Sequence, residues 1–123
     1  MKLIYLASPY SHPDEAIRKM RYMQALRATI MLFQENHYVY SPIAYTHPIA
    51  TLGEFHLGFD VWGDFDFHIL SKCDELWILP LAGWRDSIGM KSEIYEAIAL
   101  GIPIKLVPAH IVDALLNEEG KLA

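Results

Sequence analysis

Short apolar runs alternate with longer amphipathic segments along this chain, and the alternation predicts its architecture. Four runs have the length and the β-branched and aromatic content of buried strands, and they span residues 2–7, 38–41, 75–79 and 102–107. The longer segments repeat their apolar residues every three or four positions, which predicts helices over 13–35, 59–72, 88–100 and 109–117. We expect residues 118–123 to fray.

Strands that alternate with helices form a parallel sheet with helices on both faces, joined by right-handed crossovers. The chain is therefore predicted to be an α/β three-layer sandwich with a doubly wound parallel sheet of about four strands, in the order 2-1-3-4. In such a sheet a ligand lies beyond the carboxyl ends of the strands, where the loops after strands 1 and 3 meet.

Two segments carry more specific expectations. The buried stripe of the first helix is predicted from apolar residues at helical spacing: Met20, Met23, Leu26, Ile30 and Phe33. The arginines expected on its solvent side are Arg18, Arg21 and Arg27. Residues 42–60 are rich in Pro, Gly, His and aromatic residues without a clear period, which predicts a long binding loop or lid.

Size, charge and cysteine content narrow the class of protein. A chain of 123 residues with 53% hydrophobic content fits a single domain, 1–123, that buries its own core. The net charge of -5 does not favour a nucleic-acid polymer as partner. Cys73 is the only cysteine, so an intramolecular disulfide is impossible.

The amino-terminal residues read as a strand rather than a signal peptide, and no apolar run approaches the roughly 20 residues of a membrane span. We therefore expect a cytoplasmic protein without a membrane partner. The high apolar content favours a homo-oligomer, either a dimer or a tetramer.

Common cofactor and hydrolase motifs are absent from the sequence. It contains no GxGxxG, Walker or GxSxG pattern, and its six histidines show no HExxH or paired metal spacing. We expect neither a metal nor an organic cofactor.

The stretch from Gly83 to Gly101 concentrates candidate chemistry, and Glu93 is its first candidate. At helical spacing Glu93 lies on the shoulder of an apolar stripe formed by Met90, Ile94 and Ile98, so we expect it to be half-buried. Such a carboxylate is either a surface acid at the margin of the stripe or the wall of a pocket that tunes its pKa.

Four further residues allow both a structural and a functional interpretation. Asp66 shares its helix side with Trp62 and Ile69, and it is either a surface or capping acid or a second pocket carboxylate. Tyr5 is either a core residue or a core residue whose hydroxyl has a functional partner. Asp86 and Ser87 cap the third main helix, and beside Gly89 the same geometry suits an anion.

The chain resembles the nucleoside 2-deoxyribosyltransferase-like superfamily and, within it, the small DUF1937-type branch. The resemblance covers nearly the whole chain and rests on motifs in a fixed order: YLASPYS, YSPIAYTHPI, W-x-x-x-D at Trp62 to Asp66, CDELWIL and GWRDSIGMKSE. It implies a flavodoxin- or Rossmann-like fold, in agreement with the alternation of strands and helices.

The resemblance also implies roles for individual residues. Glu93 would be the nucleophile that attacks the anomeric carbon of a nucleoside or nucleoside 5′-monophosphate, Tyr5 would orient it, and Asp66 would be the acid/base partner. Two carboxyls about 5 Å apart suit a retaining double displacement. The predicted substrate-binding residues are Ser8, Pro9, Tyr10, Ser11, His47, Trp84, Asp86, Ser87 and Gly89, and Trp84, Tyr45 and Phe55 are candidates for stacking on the base.

Three functions remain open at this point. The first is an N-glycosidase or deoxyribosyltransferase that acts on a small-molecule nucleoside or nucleotide. The second is a non-catalytic nucleotide-binding module with the same fold. The third is a scaffold whose carboxylates are incidental, which would be supported by Glu93 and Asp66 on opposite faces and far from Tyr5.

Overall fold

The computed structural model describes residues 1–53 and 59–122, with side chains described for 1–53 and 62–117. The strands are β1 (Leu3–Ala7), β2 (Tyr38–Tyr40), β3 (Glu75–Ile78) and β4 (Ile104–Leu106). The helices are α1 (Glu15–Gln34), α2 (Pro42–Leu52), α3 (Phe59–Leu70), α4 (Ile88–Leu100) and α5 (Ala109–Leu122), and a 3-10 turn spans Trp84–Asp86.

The four strands form one parallel sheet in the order β2-β1-β3-β4, which confirms the predicted topology and the α/β fold class. In register, Tyr5 of β1 stands between Tyr40 of β2 and Leu76 of β3. Because β1 and β3 are the central strands, their carboxyl ends meet at the point where the chain winds in both directions.

Alternate residues of β1 face opposite sides of the sheet and belong to two separate cores. Ile4 and Leu6 pack with residues of α1 and α5 on one face. Tyr5 and Ala7 pack with residues of α3 and α4 on the other face. This alternation directs the Tyr5 side chain toward the helices that carry the two candidate carboxylates.

The predicted face of α1 is wrong. Its buried residues are Gln24, Ala25, Ala28 and Leu32, whereas Met20, Ile30 and Phe33 are exposed. Small residues face the interior because α1 packs closely on the sheet, on α2 and on α5. Arg18 and Arg21, which were expected in solvent, are half-buried beside the loop after β1.

The predicted long loop at 42–60 is also wrong over its first half, which forms α2. Ser41 caps this helix by accepting a hydrogen bond from the Ala44 amide, and Pro42 occupies its first turn, where proline is tolerated. The prediction over residues 54–58 lies outside the described residues. The carboxyl-terminal helix continues to Leu122, beyond the predicted end at residue 117.

No helix in the described part of the chain is both long and apolar enough to cross a membrane.

Candidate functional site

A cavity of about 480 Å³ opens beyond the carboxyl ends of the strands, where the loops after β1 and β3 meet. Its size is that of a pocket for a small organic molecule. One side is formed by the loop after β1 and the start of α1, through Ser8, Tyr10, Ser11 and Arg18. Helices α3 and α4, with the N-cap of α4, contribute Trp62, Asp66, Phe67, Ser87, Gly89, Met90 and Glu93.

Glu93 lines this cavity from α4 and is half-buried, as its place on the shoulder of the helix predicts. The Tyr5 hydroxyl donates a hydrogen bond to Glu93 Oε2. Tyr5 has no exposed surface, so its ring is fixed by the core while its hydroxyl holds the carboxylate. Burial and the nearby charge of Glu93 raise the pKa of Tyr5, which keeps the hydroxyl protonated as a donor.

Asp66 lines the same cavity from α3 and has an unsatisfied atom. Its Oδ1 is buried and has no hydrogen-bond partner among the described residues. The Tyr40 hydroxyl, whose ring lies 5.9 Å from that of Tyr5, is likewise buried and unpartnered there. Buried polar atoms in folded proteins almost always have a partner, so these orphaned atoms indicate a place where a ligand or water supplies one.

Burial raises the pKa of both carboxyls in the cavity. The pKa of Asp66 rises from 3.8 to about 7. Burial also raises the pKa of Glu93, to about 8, with a further increase from the charge of Asp66 and a partial decrease from the hydrogen bond of Tyr5. Because the charge of Asp66 raises the pKa of Glu93, ionisation of Asp66 disfavours ionisation of Glu93.

The amino terminus of α4 also lies at the cavity. Ser87 is the N-cap of α4, and its Oγ accepts a hydrogen bond from the Met90 amide at 3.2 Å. Gly89 lines the cavity in the first turn. A capping hydroxyl accepts one hydrogen bond and still has a proton to donate, so Ser87 can also donate to a ligand.

The loop after β1 contributes its residues unequally. Ser8, Tyr10 and Ser11 line the cavity, whereas Pro9 is fully buried and is not among the lining residues. His47 is also outside the lining, but its Nδ1 lies 2.7 Å from the Tyr10 hydroxyl. His47 stacks on Tyr22 as well. It therefore positions Tyr10 and does not itself form a wall of the cavity.

Several predicted contacts are not brought to the cavity. Asp86 is exposed in the 3-10 turn, and Ser87 alone caps α4. Trp84 packs on the core beneath Arg85, and Tyr45 stacks against Phe65. Neither of these aromatic residues lines the cavity. Phe55 lies outside the described residues.

Residues that the sequence did not single out complete the cavity. Trp62 and Phe67 supply aromatic walls from α3, and Arg18 supplies a cation from α1. Trp62 was available as part of the W-x-x-x-D motif, since it lies one helical turn from Asp66. Arg18 carried no such signal because its position depends on how α1 packs against the loop after β1.

The described residues contain no group of three or more His, Cys, Asp or Glu side chains placed to hold a metal ion. The cavity offers two carboxyls of raised pKa and apolar walls, with the Tyr5 hydroxyl bonded to one of the carboxyls from the core. Such a pair can combine a nucleophile with a proton donor.

Comparisons with known proteins identify the type of fold. The family model described as "Domain of unknown function (DUF1937)" matches residues 2–108. A solved 2-deoxyribosyltransferase from the psychrotolerant bacterium Bacillus psychrosaccharolyticus is similar in fold, with a TM-score of 0.54 and 24% identity. The similarity covers 90% of this chain and 80% of that one, and it confirms a nucleoside 2-deoxyribosyltransferase-like fold. A search of curated proteins finds no match.

Proposed function

Since this chain belongs to the DUF1937 family, whose description leaves the activity open, we propose its function from its own site. The proposed reaction is cleavage or transfer of the N-glycosidic bond of a nucleoside or a nucleoside 5′-monophosphate. Whether water or a second base accepts the glycosyl group distinguishes a hydrolase from a transferase. The fold shared with a 2-deoxyribosyltransferase supports this class of reaction.

The observation that carries the proposal is the convergence of Glu93, Asp66 and Tyr5. They come from α4, α3 and β1. Both acids line one cavity and interact through charge, and the buried Tyr5 joins them through its hydrogen bond to Glu93. A scaffold with incidental carboxylates was expected to have these acids on opposite faces. Both instead line the same cavity, which favours the enzyme over the scaffold.

In the proposed first step the ionised Glu93 attacks the anomeric carbon. The bond from that carbon to the base nitrogen breaks, and the neutral form of Asp66 gives its proton to the departing base. The product is a glycosyl ester on Glu93. In the second step water or another base attacks the anomeric carbon, Asp66 takes its proton, and the Glu93 carboxylate is released.

Tyr5 assists this chemistry by fixing one carboxylate oxygen of Glu93. Its hydroxyl donates to Oε2, which leaves Oε1 available for attack. The hydrogen bond stabilises the ionised form of Glu93 against the effect of burial. Trp62 and Phe67 provide flat apolar surfaces for a purine or pyrimidine, in place of Trp84 and Tyr45.

Base release followed by chromatography tests the proposal directly. We expect the purified protein to free the base from at least one member of a panel of ribo- and deoxyribonucleosides and their 5′-monophosphates. Glu93→Gln is expected to lower the rate at least about a thousandfold, because an amide is a far weaker nucleophile. Glu96→Gln is the matched control, since Glu96 lies on the same helix but outside the cavity lining.

Two outcomes would refute the proposed enzymatic activity. If no member of the panel loses its base, or if Glu93→Gln and Glu96→Gln are equally active, the proposal for Glu93 fails. Circular dichroism of both variants establishes that any loss of activity reflects the site rather than unfolding.

One observation favours the alternative of a nucleotide-binding module. With its pKa raised to about 8, Glu93 is mainly neutral at pH 7, and a neutral carboxyl can donate a hydrogen bond to a ligand. In that case a thermal shift with mononucleotides persists or grows in Glu93→Gln while no product forms. Product formation that depends on Glu93 excludes this alternative.

A further inference from the structure

We propose that Arg18 is a specificity-determining residue that binds the phosphomonoester of the substrate, so that the protein selects nucleoside 5′-monophosphates over free nucleosides. This inference deepens the proposed function and rests on it for the identity of the nucleoside. The binding subsite itself is defined by Arg18 and Ser8 on the loop side of the cavity.

Arg18 places at the cavity a positive charge that no carboxylate among the described residues neutralises. It is half-buried, and its Nη1 donates to the carbonyl oxygens of His12 and Pro13 at 2.6 and 3.1 Å. These bonds fix the guanidinium at the cavity wall without neutralising its charge. Within the described residues Arg18 forms no ion pair with a carboxylate, and it is the only lysine or arginine in the cavity lining.

Ser8 provides an independent indication that a ligand binds on this side. It lines the cavity and is only 6% exposed, yet its Oγ has no hydrogen-bond partner among the described residues. A buried hydroxyl without a partner costs free energy, so the native site is expected to supply one. A phosphate oxygen next to Arg18 is an acceptor that fits both groups.

Two other groups suit the same anion. Ser11 lines the cavity beside Ser8, and its carbonyl is held by the Nη1 of Arg21 at 2.9 Å. The thirteen-residue helix α4 also begins at the cavity, and the hydroxyl proton of its N-cap, Ser87, is available for donation. The positive end of the helix dipole favours an anion there.

Arg18 and the two carboxyls line the cavity from different elements, Arg18 from α1, Asp66 from α3 and Glu93 from α4. A ligand with an anion at one end and a bond to be broken at the other fits such an arrangement. A nucleoside 5′-monophosphate has this form, because its phosphate and its glycosidic bond lie on opposite sides of the sugar.

The test compares binding and turnover for matched ligands. Isothermal titration of the Glu93→Gln protein uses the four 2′-deoxynucleoside 5′-monophosphates, the corresponding nucleosides and 2-deoxyribose 5-phosphate. We expect at least about tenfold tighter binding of the monophosphates than of the nucleosides. Adding Arg18→Gln should weaken monophosphate binding roughly tenfold to a hundredfold, leave nucleoside binding unchanged, and be partly rescued by Arg18→Lys.

Arg85→Gln is the control for overall charge. Arg85 lies over Trp84 outside the cavity lining, so its loss should leave the preference for monophosphates intact. If the Glu93→Gln protein with Arg18 intact binds monophosphates and nucleosides equally well, the inference is overturned. It is also overturned if the preference for monophosphates is unchanged after Arg18→Gln is added.

The inference and the proposed function fail in different ways. Arg18-dependent binding of monophosphates without any base release refutes the reaction and retains the subsite. Base release with equal kcat/KM for nucleosides and monophosphates refutes the subsite and retains the reaction. Binding of 2-deoxyribose 5-phosphate that also depends on Arg18 supports the subsite independently of the base.

Discussion

At the scale of single residues, the environment of a carboxylate decides what it can do. Glu93 and Glu96 lie on the same helix, but only Glu93 lines the cavity and receives a hydrogen bond from Tyr5. Helical spacing alone indicated the half-buried position of Glu93. It left a surface role open, because the partner hydroxyl belongs to a strand 88 residues away in sequence.

The raised pKa values of Glu93 and Asp66 predict a bell-shaped pH profile. The proposed mechanism needs Glu93 ionised and Asp66 neutral. With a pKa of about 8 for Glu93 and about 7 for Asp66, this is the minor of the two singly ionised forms, and its population is greatest midway between the two values. Below this range both are protonated and no nucleophile exists, whereas above it both are ionised and no acid remains. We expect kcat/KM to be maximal near pH 7.5, between these values, in assays at constant ionic strength.

Tyr5→Phe should change this profile in a particular direction. The Tyr5 hydrogen bond lowers the pKa of Glu93, so its removal should raise that pKa and move the optimum to higher pH. We also expect kcat to fall roughly tenfold to a hundredfold, since the carboxylate loses its fixed orientation. A profile identical in position to that of the parent protein would show that Tyr5 only fills the core.

At the scale of elements, periodicity predicted the positions of strands and helices better than it predicted which face of a helix is buried. The range of α4 was predicted correctly, because Ser87 and Gly101 mark its ends. The face of α1 was missed because Ala25 and Ala28 face its close contacts while larger apolar residues remain exposed. The start of α2 was missed because its proline was interpreted as a loop signal rather than as a first-turn residue.

The N-cap of α4 allows the structural and anion-binding roles of Ser87 to be separated. Ser87→Ala removes the cap and should lower the free energy of unfolding by about 1 kcal/mol in urea titrations. Ser87→Asp keeps a capping oxygen, so stability should remain close to that of the parent protein. Its negative charge at the cavity should nevertheless weaken monophosphate binding at least tenfold. Retained affinity in Ser87→Asp would place the phosphate away from α4.

The turn before α4 depends on Gly83. This residue has a φ of 87°, and an added Cβ would lie 2.9 Å from Arg21 Nη2. We expect Gly83→Ala to lower the free energy of unfolding by about 1–2 kcal/mol, because the left-handed backbone disfavours any side chain. Thermal unfolding measures this cost, and a midpoint equal to that of the parent protein would contradict it.

At the scale of the whole molecule, the cavity lies beyond the carboxyl ends of the strands, and a buried carboxylate binds several donors near their amino ends. Glu75 begins β3, is 3% exposed, and accepts hydrogen bonds from the Trp77 indole, Lys2 and Lys105. These donors join residues of β3 and β4 and the residue before β1. The sequence indicated neither the burial of Glu75 nor its partners, since they are brought together only by strand order.

This cluster predicts that the free energy of unfolding falls at acidic pH. The Trp77 indole and then Lys2 lower the pKa of Glu75 from 4.5 to about 2. Its contribution is therefore complete above about pH 4.5 and is lost as the pH falls toward 2. Glu75→Gln should lower the free energy of unfolding by about 1–3 kcal/mol at pH 7 and by much less near pH 2. An equal loss at both pH values would contradict this role.

The expected dimer or tetramer and the expected cytoplasmic location remain predictions. Exposed apolar side chains on α4, including Ile88, Tyr95 and Ile98, are available for association.

The most direct test of the central claim is the mass of the protein during turnover. A 2′-fluorinated nucleoside 5′-monophosphate slows both steps of a double displacement, because fluorine destabilises the oxocarbenium-like transition state. Our account predicts release of the base together with a glycosyl adduct on the peptide that contains Glu93, and no adduct in Glu93→Gln. Base release from this compound at an undiminished rate in Glu93→Gln, with the mass of the protein unchanged, would contradict it.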